Sequence, residues 1–119
     1  LVQRYGADPS LKWAMAGRSH GKLREVRAEI DPLEATPLVV ADADNPASLK
    51  SMAARASCVV TTVGPYQLYG EPLVAACAET GADYVDLCGE PAWMRAMIDK
   101  YEAAAKKSGA RIVFSCGFD

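Results

Sequence analysis

Five short apolar runs, each followed by a turn or a stretch of helical spacing, recur along this 119-residue chain and restrict it to one kind of architecture. The runs are Trp13–Ala16, Leu38–Ala41, Cys58–Val63, Tyr84–Cys88 and Arg111–Cys116. They are short and nearly continuous in apolar character, as buried strands of a parallel sheet are. Between them Leu23, Val26 and Ile30, then Leu49, Met52, Ala53 and Ala56, then Leu73, Val74 and Cys77 keep the spacing of helix faces. Met94, Met97, Ile98, Tyr101 and Ala105 form a further stripe, expected to be core packing. Strand–helix repeats of roughly twenty to twenty-eight residues require right-handed crossovers, so the expected fold is α/β with a doubly wound parallel sheet.

The punctuation agrees with that pattern. Leu1 to Tyr5 read as the tail of a helix stopped by Gly6, and Asp8-Pro9-Ser10 as a turn. A helix over Ser19–Ile30 ends at Asp31-Pro32. Asp44 or Asn45 caps the next one, with Pro46 at its first position. Gly81 and Gly109 stop the last two helices, and Lys106 and Lys107 complement the final helix dipole. No linker or repeat interrupts the run, so a single domain with one core is expected.

Half the residues are apolar, and 13 basic against 15 acidic residues leave a net charge of −2, which offers no electrostatic basis for nucleic-acid binding. The charge is uneven: residues 1–30 hold six Lys/Arg against three Asp/Glu, a gradient that suits a phosphate site early in the chain. No run reaches membrane-spanning length. Cys58, Cys77, Cys88 and Cys116 lie far apart, with His20 the one histidine, so no metal site is expected. Cys58 and Cys77 read as reduced thiols packed as small hydrophobes in a cytoplasmic protein.

Ligands of open parallel sheets bind outside the carboxyl ends of the strands, so those ends hold the candidate residues. They are Gly17-Arg18-Ser19, Asp42, Gly64-Pro65-Tyr66, Cys88-Gly89-Glu90 and Cys116-Gly117-Phe118-Asp119. An arginine after the second strand of a dinucleotide fold accommodates the 2′-phosphate of NADP, whereas an acid there binds the ribose hydroxyl of NAD. Here the arginine is present, although Arg18 also reads as a solvated loop charge. Asp42 is either an acceptor for an adenine amine or an acid opening the next helix. Gly64-Pro65 forms a stiff turn suited to the nicotinamide ribose, and Tyr66 a side chain to stack on or bond to a ligand; the alternative is a rigid loop.

Taken together, Trp13-Ala14-Met15-Ala16-Gly17-Arg18-Ser19, Val39-Val40-Ala41-Asp42-Ala43-Asp44, Thr61-Thr62-Val63-Gly64-Pro65-Tyr66, Tyr69-Gly70-Glu71-Pro72-Leu73-Val74, Tyr84-Val85-Asp86-Leu87-Cys88-Gly89-Glu90 and the Cys116–Asp119 turn resemble the N-terminal Rossmann domain of the saccharopine dehydrogenase-like oxidoreductases. Within that family the resemblance is to the trans-acting enoyl reductases of lipid and glycolipid synthesis. It implies NAD(P)-dependent hydride transfer, with NADP the expected cofactor and NAD the alternative. Arg18 and Ser19 would take the 2′-phosphate, Asp42 the adenine, and Gly64, Pro65 and Tyr66 the nicotinamide end. Cys88, Glu90 and Asp119 would face a small-molecule or lipid-like substrate, held largely by a second substrate or dimerisation domain. No residue is singled out as the catalytic proton donor.

Such domains begin with a strand and a turn resembling G-x-x-G-x-x-G, and neither precedes Leu1 here. The expectation is therefore a partial Rossmann domain over residues 1–119, inactive alone, within a longer polypeptide. Self-association and any membrane association are left to that parent. The competing functional reading is a binding or scaffold module that keeps the fold without the chemistry. A short-chain reductase is disfavoured, since no tyrosine has lysine four residues on.

Overall fold

The computed structural model describes residues 1–6, 8 and 10–117, so Pro9 and Asp119 lie outside the described residues. The chain divides into two compact units, residues 1–41 and 42–119. In the first, a one-turn helix α1 (Val2–Tyr5) is followed by β1 (Met15–Gly17), α2 (His20–Ile30) and β2 (Leu38–Val40). The second holds α3 (Pro46–Ala54), β3 (Cys58–Thr61), α4 (Tyr66–Tyr69), α5 (Glu71–Thr80), β4 (Asp83–Asp86), α6 (Pro91–Ser108) and β5 (Ile112–Val113). All pairings are parallel, in two sheets: β1–β2 and β3–β4–β5.

In the first unit Met15 pairs with Leu38 and Gly17 with Val40, α2 forming the crossover. The ladder begins at Met15 rather than at Trp13. The Met15 amide donates to Pro37 O at 2.9 Å, and the bond that Trp13 would next accept has no donor because Pro37 lacks an N–H. Ser19 caps α2 through its hydroxyl, and Leu23 is the buried residue of that helix. It lies so close to the strand end that a Cβ on Gly17 would stand 3.1 Å from Leu23 Cδ2. The return to β2 is held by polar bonds: Asp31 Oδ2 accepts from the Thr36 hydroxyl at 2.7 Å and its amide at 2.9 Å. Arg27 donates to Thr36 O at 3.0 Å. The hydrogen bonds from the Thr36 side chain and backbone hold the Asp31 carboxyl below the usual carboxylate range.

In the second unit the register runs Val59–Tyr84–Ile112 on one face of the sheet and Val60–Val85–Val113 on the other. The first face meets the helices: Tyr84 is fully buried, as are Val74 and Cys77 of α5, and Trp93 and Met97 of α6 are buried with them. Phe114 joins them edge-on, 5.8 Å from the Tyr84 ring and 5.4 Å from Trp93. The opposite face is open, with Val60 70% and Val113 51% exposed. Trp93 thus takes a place in the α6 stripe that the spacing gave to Ile98, which is exposed. Burial pushes the Cys77 thiol up to about 12, as expected of a packed cysteine, whereas Cys58 is exposed on the open face.

Three strands stop earlier than their apolar runs, and for one reason: side-chain acceptors intercept the next backbone amides. Val63 N donates to Thr61 Oγ1 after β3, Cys88 N to Asp86 Oδ1 after β4, and Ser115 N to the same oxygen after β5. The helix boundaries follow the sequence signals more closely. Asn45 caps α3 through its side chain with Pro46 at the first position, and Gly81 and Gly109 end α5 and α6 in the left-handed region, at φ 84° and 85°. The single turn of α4 has no apolar period of its own and was not expected.

Those two stops differ in surroundings. A Cβ on Gly81 would stand 2.9 Å from Ser108 O, whereas one on Gly109 meets open space. Gly109→Ala should cost about 1 kcal/mol, the strain of a left-handed alanine, and Gly81→Ala at least about twice that. Urea unfolding of the intact protein carrying each change checks the order.

Candidate functional site

In the second unit the carboxyl ends of β3, β4 and β5 form one rim, and polar bonds knit it together. At its centre is Asp86, fully buried at the end of β4. Its Oδ2 accepts from the Tyr84 hydroxyl at 2.6 Å, and its Oδ1 from Cys88 N at 2.9 Å and Ser115 N at 2.8 Å. The Asp86 carbonyl accepts from Cys116 N at 2.7 Å. Burial first, and the hydrogen bond to this carboxylate next, push the Tyr84 phenol far up, so the tyrosine remains a donor. Ser115, at φ 61°, also gives its hydroxyl to Cys88 O, which ties the β5 turn back onto the β4 turn.

The β3 turn is attached on the other side. Gly64-Pro65 is a cis peptide, and the Tyr66 ring after it is buried 5.5 Å from Trp93. The Tyr66 hydroxyl accepts from Leu87 N at 3.3 Å and reaches Thr61 O at 3.4 Å. Glu90 accepts from Tyr66 N at 2.7 Å and from Gln67 N at 3.1 Å.

These bonds correct three expectations. The Tyr66 ring, expected to be open to a ligand, is part of the core, and its hydroxyl braces the rim. Cys88 does not face a substrate, since its thiol is fully buried, accepts from Glu90 N at 3.3 Å and is pushed up by burial. The Glu90 carboxylate is committed to two backbone amides. Gly64 and Pro65 are exposed. Asp42 opens the second unit; its Oδ1 accepts from Asp44 N at 2.9 Å, and its other carboxylate oxygen accepts no hydrogen bond among the described residues. Asp119 lies outside the described residues.

The first unit presents Arg18 and Ser19 directly after β1. Ser19 Oγ accepts from Lys22 N at 3.3 Å and keeps its own O–H to donate. Arg18 is exposed and makes no ion pair or hydrogen bond among the described residues. The first turn of α2 holds no acidic residue. A partnerless guanidinium, a hydroxyl and the positive end of an eleven-residue helix are a donor set that suits a phosphate.

Asp86, Tyr84 and Ser115 were not among the sequence candidates. An acid inside the apolar run Tyr84–Cys88 is the signal that marks Asp86, because a buried carboxylate requires partners. Nothing local marks Ser115. A groove of about 540 Å³ between α3, α5 and α6 competes for attention, lined by Lys50, Glu71, Glu79 and Tyr101. Its charges are paired, Lys50 with Glu79 across the groove and Glu71 with Lys100 of α6, so it offers a ligand less than the rim does. No helix among the described residues is long and apolar enough to cross a membrane.

Parallel strands ending on one rim, and an unpaired arginine at a helix start after a strand, define the class of nucleotide-binding α/β domains. The family described as "Saccharopine dehydrogenase NADP binding domain" matches residues 1–113, and the chain belongs to it. The cofactor of that family is the one the Arg18–Ser19 turn suggests. A protein of Mycobacterium ulcerans named trans-acting enoyl reductase is 55% identical over 120 residues, covering all of this chain and 28% of that protein. One of the same name from Mycobacterium leprae is 52% identical, over 95% of this chain and 27% of its own length. The chain thus spans just over a quarter of these relatives. Apo saccharopine dehydrogenase (L-Glu forming) from Saccharomyces cerevisiae has the same fold, with a TM-score of 0.75 at 14% identity, over 98% of this chain and 24% of that one.

Asp86→Ala leaves the Tyr84 hydroxyl and two backbone amides without their acceptor, and should destabilise the intact protein by about 3 kcal/mol or more. Asp86→Asn keeps an acceptor for the amides and an N–H for the tyrosine oxygen, and should cost about 1–2 kcal/mol. Denaturant midpoints of the two variants measure the difference.

Proposed function

We propose that this chain is the cofactor-binding part of an NADP-dependent oxidoreductase of the enoyl reductase type, acting on a lipid-like substrate held by the remainder of a longer polypeptide. The observation that carries this reading is Arg18, an exposed and partnerless guanidinium at the start of α2 in a chain of an NADP-binding family. Arg18 and the Ser19 hydroxyl bind the 2′-phosphate, and the α2 amides add the helix dipole to that hold. The uncommitted oxygen of Asp42 accepts from the adenine amine. The exposed backbone of Gly64 and Pro65 supports the nicotinamide ribose. When bound, the cofactor supplies a hydride for reduction of the substrate double bond.

This chain's residues bind and orient in that scheme. Tyr66, Asp86, Cys88 and Glu90 are all held in bonds to their own rim, so none of these four is free to supply the proton that completes the reduction. Among the described residues β3 pairs on one edge alone, which supports a further strand contributed by the same polypeptide. Among the described residues the phenol and carboxyl groups of Tyr66, Tyr84, Asp86 and Glu90 are bonded within the rim, which favours one alternative, a binding module without chemistry.

Titration of the intact protein with NADPH and NADH, followed by fluorescence, tests the reading. NADPH is expected to bind more tightly, and Arg18→Ala to weaken it by about 10- to 100-fold, the loss of one or two charge-assisted hydrogen bonds, with NADH changed less than about twofold. Equal NADPH affinity in the variant would reject the assignment of Arg18. NADPH binding without turnover of any enoyl substrate would favour the binding module.

A further inference from the structure

The segment Thr62–Pro65 combines two properties that do not ordinarily occur together. All four residues are exposed, so the segment contributes nothing to the core, and yet it is fastened at both ends. At its start Val63 N donates to Thr61 Oγ1 at 3.2 Å. At its finish the chain enters α4, whose first amides have no carbonyl one turn back to receive them. The residue at the cap position is Pro65, whose side chain cannot accept a hydrogen bond. The acceptor comes instead from Glu90, on the turn after β4 and 24 residues further along, which takes Tyr66 N on one carboxylate oxygen and Gln67 N on the other.

A carboxylate suits this place because both partners are donors, and an ionised carboxyl group accepts on both oxygens. The bonds are also charge-assisted and stand at the positive end of a helical turn. Glu90 is itself held by its own amide, which donates to the Cys88 thiol at 3.3 Å. The position of the exposed segment is thereby set by the β4 turn, and through Asp86 by the β5 turn as well. Core stability does not require an exposed loop to be fixed in this way. Presentation of its backbone to a ligand does.

We infer that Glu90 is a positioning residue for the nicotinamide end of the cofactor: it clamps the exposed Val63-Gly64-Pro65 backbone in the place where the nicotinamide ribose is to lie. This rests on the reading of the rim as an NADP site. It replaces the expected substrate-facing role of Glu90 with one exerted through the β3 turn.

The test compares wild type and Glu90→Gln in the intact protein with two ligands, NADPH and 2′-phosphoadenosine 5′-diphosphate, which carries the adenine and phosphates but no nicotinamide. The glutamine oxygen can serve one amide, while its NH2 meets the other donor, so one bond is lost without loss of side-chain volume. NADPH should bind about tenfold more weakly to the variant, and the adenine half-ligand within about twofold of wild type. Amide hydrogen exchange across residues 62–69 should accelerate in the variant even without nucleotide. Equal weakening of both ligands would make Glu90 a general structural residue, and unchanged NADPH affinity or unchanged exchange would likewise overturn the clamp. Failure of wild type to bind either nucleotide would remove the cofactor reading itself and this inference with it, an outcome distinct from the others because it appears before any substitution.

Discussion

A carboxylate with no access to water must find donors for both oxygens, and that requirement at Asp86 organises the three-stranded unit. The donors come from three places in the sequence: Tyr84 two residues back, Cys88 two residues on, and Ser115 at the end of another strand. Meeting it fixes where β4 and β5 stop and turns Ser115 into the left-handed region. Each amide that goes to the carboxylate is one removed from the ladder. The strands are therefore short, and their ends are shaped by side chains rather than by fraying.

The same logic extends outward through Tyr66 and Glu90. The aromatic packing of Tyr66 on Trp93, and of Trp93 on Phe114, places the Tyr66 hydroxyl against Leu87 N, so apolar packing beneath the rim locates a polar bond within it. Glu90 then takes the amides that open α4. What emerges is a rim whose Tyr66, Asp86 and Glu90 polar groups are bonded within it, and whose exposed residues include Thr62, Val63, Gly64, Pro65, Leu87 and Cys116. Such turns give the rim a position set by its own hydrogen bonds.

The first unit works by a different balance. Its polar bonds, from Asp31 and Arg27 to Thr36, are spent on the return from α2 to β2, away from the strand end. At the strand end Arg18 makes no ion pair among the described residues, and the α2 first turn carries no acid to neutralise the helix dipole. Positive character left uncompensated there, in an otherwise slightly acidic chain, is what suits that turn to a phosphate.

Much of this was legible from the residues alone. Apolar periodicity and the capping signals located every strand and the four longer helices, because these depend on local spacing and on backbone conformations that Asn45, Pro46, Gly81 and Gly109 favour wherever they occur. Arg18 was legible as well, since its place after a strand follows from order in the chain. The direction of the rim side chains was not. Tyr66, Cys88 and Glu90 stand at strand ends in the sequence as a ligand-facing residue would, and only the packing of Trp93, the burial of Asp86 and a cap supplied from 24 residues away turn them inward. Local pattern determined which elements form and in what order, because it acts through neighbours in the chain; tertiary structure decided which polar groups are already satisfied, because their partners are distant in sequence and are met only when the strands lie side by side.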